Sequence, residues 1–195
     1  MREIALHILD IAENSVSAGA HVIEIAVEED LPNDRLKIFI KDDGRGMDEE
    51  LLALVTNPFV TSRTTRKVGL GLPLFKAAAE ACCGGLRIDS TAGHGTTVNV
   101  EFQRSHIDRM PLGDLAGTWR ILLVGFPDIH WLFRYRAKVQ PEADATEFTF
   151  DSEPIRQELG DVPITEPVVL AFIRQMLQEG VKEVQRTIRQ TELIR

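Results

Sequence analysis

Ile4, Ile8, Ile11 and Ala12 recur at helical spacing, predicting a helix from close to Met1 to about Ser17 with its apolar face on a core. His7, Asp10, Asn14 and Ser17 recur at the same spacing on roughly the opposite side, which reads either as a solvated face or as one wall of a site. Gly19 ends this helix. Ile23, Ile25 and Val27 then alternate with polar residues, and Leu36, Ile38 and Ile40 do the same between Lys37 and Lys41. These are two half-buried strands, expected to be antiparallel neighbours across the Pro32-Asn33-Asp34 turn. A short helix follows at about Asp48 to Val55, with Asp48 as its cap. Asn57 to Val68 has neither period and reads as a loop. A helix opens near Leu70 with Pro73 in its first turn and stops at Gly84-Gly85. Leu86 to Ser90 and Thr96 to Phe102 are strands joined through Ala92 to Gly95.

Past residue 104 the pattern is less regular. Residues 105–114 read as a connector. Thr118 to Phe126 and His130 to Val139 read as strands around Pro127-Asp128, and Glu147 to Asp151 as another. A final helix begins at Thr165-Glu166-Pro167 and carries Phe172, Met176, Val181 and Val184. Trp119, Phe126, Trp131, Phe133, Tyr135, Phe148, Phe150 and Phe172 are expected in the core. The organisation expected is a first unit over 1–104, the connector at 105–114, and an α/β region over 115–195 with no catalytic constellation.

Composition narrows the classes. The 195 residues suffice for a sizeable core, and 44% hydrophobic with 27% charged residues is ordinary for a globular protein. A net charge of −8 argues against nucleic-acid and anionic-membrane partners, which need a dense basic surface. Cys82 and Cys83 are the whole cysteine complement, too few for a metal site or disulfide framework, and read as small buried thiols. No signal peptide is evident and no apolar run approaches a membrane span, so a cytoplasmic location is expected.

The chemistry is concentrated in four short segments: Asp10 to Ala20 (DIAENSVSAGA), Asp42 to Met47 (DDGRGM), Asn57 to Leu72 (NPFVTSRTTRKVGLGL) and Gly93 to Val98 (GHGTTV). Asp42 shares the strand parity of Leu36, Ile38 and Ile40, so its carboxylate points to the apolar side and needs a partner there. It reads as a ligand acceptor or as a cap on the following turn. Gly44 and Gly46 allow that turn to be tight. Thr96 opens a strand whose inward residues are Val98, Val100 and Phe102, which aims its hydroxyl the same way. Arg63, Arg66 and Lys67 cluster positive charge in an otherwise acidic half of the chain. They read as phosphate-neutralising cations or a solvated basic loop. Gly69 and Gly71 introduce a helix whose free N–H groups suit an anion.

In this order the segments resemble the signature boxes of the gyrase, heat-shock chaperone, histidine-kinase and mismatch-repair ATPases, the GHKL superfamily, over roughly residues 3 to 104. The resemblance implies an α+β, two-layer α/β sandwich. Its mixed, mainly antiparallel sheet would be covered on one face by helices in a Bergerat-type ATP-binding fold, with a C-terminal α/β extension. It implies ATP and Mg²⁺ as cofactors, Asp42 on the adenine amine with Thr96 sharing that contact, and Asn14 as the metal ligand. Asp10 falls at the position of the general base, where hydrolysing members usually carry Glu. The shorter side chain puts the rate of hydrolysis, not ATP binding, in question; Glu13 is the second candidate. Phe59 to Leu72 corresponds to the phosphate lid. Glu13-Asn14-Ser15 with Ala18-Gly19-Ala20 is nearer the mismatch-repair clamps. Pro58 to Arg63 leading into Gly69 to Leu72 is nearer the sensor histidine kinases and is the longer match, so the resemblance is read as closest to a histidine-kinase-like ATP-binding domain.

Three functions stay open at this level. The chain could be a kinase-type domain passing the γ-phosphoryl group to a separate protein, since no phosphoacceptor hairpin is expected ahead of the first helix. His7 reads as structural rather than as an acceptor. It could be an ATP-gated interaction module with slow hydrolysis, for which a homodimer is allowed. It could be a sensor of adenine nucleotide without chemistry.

Overall fold

The computed structural model describes residues 3–55 and 71–193. Twelve elements follow in chain order. The first half holds helix α1 (Ile4–Ser17), strands β1 (Val22–Asp30) and β2 (Arg35–Asp42), helices α2 (Glu49–Val55) and α3 (Gly71–Ala81), and strands β3 (Gly85–Ser90) and β4 (Thr96–Gln103). The second half holds α4 (Leu115–Gly125), β5 (His130–Lys138), β6 (Thr146–Asp151), α5 (Ser152–Leu159) and α6 (Pro167–Glu192). The loop expected over Asn57 to Val68, and with it Arg63, Arg66, Lys67 and Gly69, lies outside the described residues.

All six strands form one sheet in the order β3-β4-β2-β1-β5-β6. β1 and β2 pair antiparallel with Ile25 opposite Ile40, as their alternation predicts. β5 runs parallel to β1, with Phe133 opposite Ile25, so the second half of the chain extends the same sheet. One face carries Ile23, Ile25, Ile38, Val100, Trp131 and Tyr135, each at most 2% exposed, beneath α1, α3, α4 and α6. The other face carries Glu24, Lys37 and Arg134 toward solvent or half-buried. This is an α+β fold with helices on one face of a mixed sheet, as the sequence implies.

The second half departs from the sequence reading at several points. The strand expected at Thr118 to Phe126 is the helix α4. Leu115, Ala116, Trp119, Leu122 and Leu123 are buried at i, i+1, i+4, i+7 and i+8, a helical stripe, and Asp114 caps it by accepting the Gly117 N–H at 2.8 Å. The short run between Trp119 and Phe126 suggests a strand only if that cap is overlooked. α5 was unforeseen; Asp151 starts it by accepting the Glu153 N–H at 2.9 Å. Phe172 is 64% exposed on the outer side of α6, not core. Cys82 is buried, but Cys83 is exposed at φ +54°, where α3 gives way to Gly84.

A linked set of polar groups ties one end of the sheet to α6. Glu29 on β1 is only 8% exposed; it accepts from the Tyr135 hydroxyl at 2.6 Å and the Arg104 guanidinium at 2.7 Å. Arg104 also reaches Glu192 at the end of α6 at 2.8 Å. Burial, then the Glu29 carboxylate, pushes the Tyr135 hydroxyl far above its ordinary pKa, so it stays a donor.

Candidate nucleotide site

α1, the β2–α2 turn, the start of α3 and the start of β4 meet at one edge of the sheet, where a cleft of about 190 Å³ opens. Asn14, Ser15, Asp42, Arg45 and Thr96 supply its polar lining. Ile11, Met47, Leu51, Val55, Leu72 and Val98 supply an apolar one, suited to the faces of a flat ring. A larger hollow, about 350 Å³, lies on the opposite, open face of the sheet. Its walls are cross-strand charges such as Glu24 and Arg134, paired at 3.8 Å, and no described residue of the motif segments lines it. Size alone does not make it the site.

Asp42 sits at the polar end of the cleft, 6% exposed, in register with Ile23 on one side and Thr96 on the other. Its Oδ1 accepts the backbone N–H of Gly44 at 3.0 Å and of Thr96 at 3.2 Å. Its Oδ2 accepts the Ser15 hydroxyl at 2.7 Å. The carboxylate therefore caps the following turn, one of the two sequence readings, and it also lines the cleft. Gly44 is packed under Ala18, 3.1 Å from where a Cβ would stand. Gly46 has φ +64°, and a Cβ there would fall 2.0 Å from the Thr91 carbonyl oxygen, so only glycine fits.

The loop bearing these glycines is tied to its neighbours by its own backbone. The Arg45 N–H donates to the Ala18 carbonyl at 3.0 Å, and the Arg45 carbonyl accepts from Gly93 at 2.7 Å. Three of the four segments are joined through this one residue. Asp43 accepts the His21 and Val22 N–H groups at 2.7 and 2.9 Å. Burial alone would raise its pKa; the backbone donors outweigh that and hold it below the usual carboxylate range.

α1 presents the stripe expected from its sequence, but the stripe is not simply solvated. Asn14 is exposed at the cleft wall, with no hydrogen-bond partner for its side-chain amide among the described residues. Asp10, one turn back, is half-buried. Its Oδ2 is enclosed without a hydrogen-bond partner among the described residues. It sits against the N-terminus of α3, so close that a Cβ on Gly71 would stand 1.6 Å away. Glu13 is exposed and does not line the cleft. His7 is 2% exposed and stacks on Phe75 of α3 with centroids 4.5 Å apart and planes 6° from parallel. Burial pushes its pKa below the ordinary histidine value.

The structure thus brings Asp10, Asn14, Asp42, Gly44, Gly46, Gly71 and Thr96 to one edge of the sheet. Ser15, Arg45 and Met47 line the same cleft and were not singled out from the sequence. Ser15 carried a readable signal, since it lies four residues from Ile11 on the buried side of α1. For a metal, no cluster of three or more His, Cys, Asp or Glu side chains stands ready among the described residues. One free amide at a cleft is nevertheless a suitable donor set for Mg²⁺, which keeps several waters and takes much of its shell from phosphates.

A mixed sheet with helices on one face, and a cleft ending in a buried carboxylate at the sheet edge, define a nucleotide-binding class of α+β domain. Residues 2–106 match the family described as histidine kinase-, DNA gyrase B-, and HSP90-like ATPase, and the chain belongs to that family, whose shared function is ATP binding. Among curated relatives, an NtrY-like protein of Rickettsia conorii that bears the name of a sensor histidine kinase is 27% identical over 108 residues, 55% of this chain and 18% of that one. The non-motile and phage-resistance protein of Caulobacter vibrioides is 32% identical over 117 residues, 55% of this chain and 14% of that one. The cell-division control histidine kinase PdhS of Brucella anthropi is 31% identical over 120 residues, 55% of this chain and 11% of that one. The chain therefore spans less than a fifth of the length of these relatives. Among solved structures, the N-terminal domain of a DNA repair protein has the same fold at a TM-score of 0.53 and 13% identity, covering 77% of this chain and 53% of that one. Among the described residues no helix is long and apolar enough to cross a membrane.

Proposed function

We propose that the chain binds Mg-ATP in this cleft and passes the γ-phosphoryl group to a separate protein. Asp42 is the anchor of the reading. A buried carboxylate that lines a cleft with apolar walls can accept a hydrogen bond from the adenine amine while the walls hold the ring. Thr96 shares that contact through a water. Asn14 would hold Mg²⁺, which would supply charge neutralisation on the triphosphate. Arg63, Arg66 and Lys67 are assigned to phosphate oxygens, as are the N–H groups after Gly69 and Gly71. Phosphoryl transfer asks mainly for positioning and charge neutralisation, which this set supplies. The likeness to histidine kinases over the ATP-binding half supports a protein acceptor, and a cytoplasmic location goes with that reading.

A second reading has a specific observation behind it. Asp10 is shorter than glutamate and its Oδ2 is enclosed beneath α3. That favours an ATP-gated interaction module in which hydrolysis is slow and nucleotide binding changes partner or self affinity. One experiment separates the two. The chain is incubated with γ-labelled ATP, Mg²⁺ and native extract, and labelled protein is sought with and without Asp42→Asn. Label on a partner that vanishes with Asp42→Asn supports transfer. Nucleotide-dependent complex formation without label supports the gate. Absence of both, with no ATP binding by calorimetry, overturns the proposal.

A further inference from the structure

Ser90, the last residue of β3, was given no role by the sequence reading. By register it lies opposite Thr96, which lies opposite Asp42, so the three form one transverse row at the cleft edge. The Ser90 hydroxyl has three neighbours: the Met47 N–H at 2.9 Å, the Gly95 carbonyl at 2.9 Å and the Thr96 hydroxyl at 3.0 Å. A hydroxyl owns one proton and two lone pairs. The Met47 N–H can only donate and the Gly95 carbonyl can only accept. Ser90 therefore gives its proton to Gly95, takes one from Met47, and has a single lone pair left for the Thr96 O–H. That fixes the direction of the third bond: Thr96 donates to Ser90.

The consequence falls inside the cleft. With its proton turned toward Ser90, Thr96 shows only lone pairs to a ligand. Ser15 behaves likewise on the other side, since its proton goes to the Asp42 carboxylate at 2.7 Å in preference to the Ile11 carbonyl at 3.3 Å. Asp42, Ser15 and Thr96 thus present only lone pairs to a ligand beside them. A base edge bearing an amine meets partners there, at Asp42 directly or at a water whose two protons go to Asp42 and Thr96, whereas one bearing a carbonyl meets lone pairs against lone pairs.

We infer that Ser90 is a specificity-determining positioning residue, which orients the Thr96 hydroxyl so that the cleft selects a 6-amino purine nucleotide over a 6-oxo one. The inference rests on the assignment of this cleft to ATP. The competing account is that Ser90 merely staples the Met47 and Gly95 loops together, and then its loss would weaken all nucleotides alike.

The test is calorimetric binding of ATP and inosine triphosphate to the full chain. It compares the parent with Ser90→Ala, Ser90→Thr, Thr96→Val and the Ser90→Ala/Thr96→Val double variant, each checked for folding by its thermal melt. Ser90→Ala releases the Thr96 proton toward the cleft, so the preference for ATP over inosine triphosphate should fall about twofold to twelvefold, the worth of one neutral hydrogen bond. Ser90→Thr keeps the hydroxyl and should restore the parent preference. In the Thr96→Val background, removing Ser90 should leave the preference unchanged. Ser90→Cys, close in size but a weak acceptor, moves the preference the same way and stands in if the alanine variant does not fold. Equal loss of both nucleotides in Ser90→Ala overturns the inference, and so does the same shift in preference when Thr96 is already valine. A parent that binds neither nucleotide overturns instead the nucleotide assignment beneath it.

Discussion

At the scale of the residue, α1 carries two polar side chains one turn apart in contrasting surroundings. Asn14 is exposed, its amide without a partner among the described residues, while Asp10 is half-enclosed against Gly71. If Asn14 holds metal and Asp10 acts as base, Asn14→Ala should weaken magnesium-dependent ATP binding. Asp10→Asn should keep affinity within a few-fold and lower turnover about a hundredfold or more, the scale of general-base loss. Calorimetry beside a phosphate-release assay reads both, and identical loss of binding in the two variants would refute this division of labour. His7 offers a pH readout. Its pKa is lowered by burial, so the folded chain takes up this proton less readily than the unfolded chain does. Stability from His7 is therefore present above the ordinary histidine value of about 6.5 and is lost as pH falls below it. Thermal melts between pH 8 and roughly pH 5 should show that decline in the parent. His7→Phe, which keeps a ring against Phe75, should flatten it.

At the scale of the element, the sequence was readable wherever a period was long or a strand had one wet face. α1, β1 and β2 fall within a few residues of their predicted spans, and α6 begins where expected, because their apolar positions repeat through several turns or alternations. Asp42 was legible for the same reason: parity along β2 placed it inward before any partner was known. What was not legible depended on pairing across space. The Ser90 hydroxyl acquires meaning only once β3 lies beside β4. α4 was misread because a short apolar run does not declare its period, and because the cap that decides it is one residue, Asp114. That cap gives a direct check. Asp114→Ala should lower stability by about 1 kcal/mol, and Asp114→Ser should recover most of it, as measured by urea denaturation. No change with alanine would mean that α4 is held by its buried face alone.

For the whole molecule, the decisive fact is that β5 sits beside β1 with Val22 opposite His130. The ATP-binding half is therefore not bounded by an edge strand on that side. A chain ending at residue 104 would bare the β1 edge that β5 covers and the side of α1 on which α4 packs. We expect such a fragment to be poorly soluble and to bind ATP weakly, whereas the full chain should unfold in one step. Urea titrations followed by Trp119 and Trp131 fluorescence and by ATP binding should then give coincident midpoints. Separate midpoints would make residues 115–195 an independent unit.

That same neighbourly pair of strands also governs how the protein comes into being. Val22 and His130 are far apart in the chain, and a parallel ladder can close only after everything between them has been made. Long-range pairing of this kind is entropically slow, because the loop must be closed before any contact rewards it. The cleft on the early side of the sheet thus waits for its late-arriving flank. On a ribosome, ATP-binding competence should appear after β5 has emerged, not when the fourth motif segment is complete. In refolding from urea, the return of ATP binding should track the tryptophan signal of Trp131 on β5, with no earlier nucleotide-competent phase.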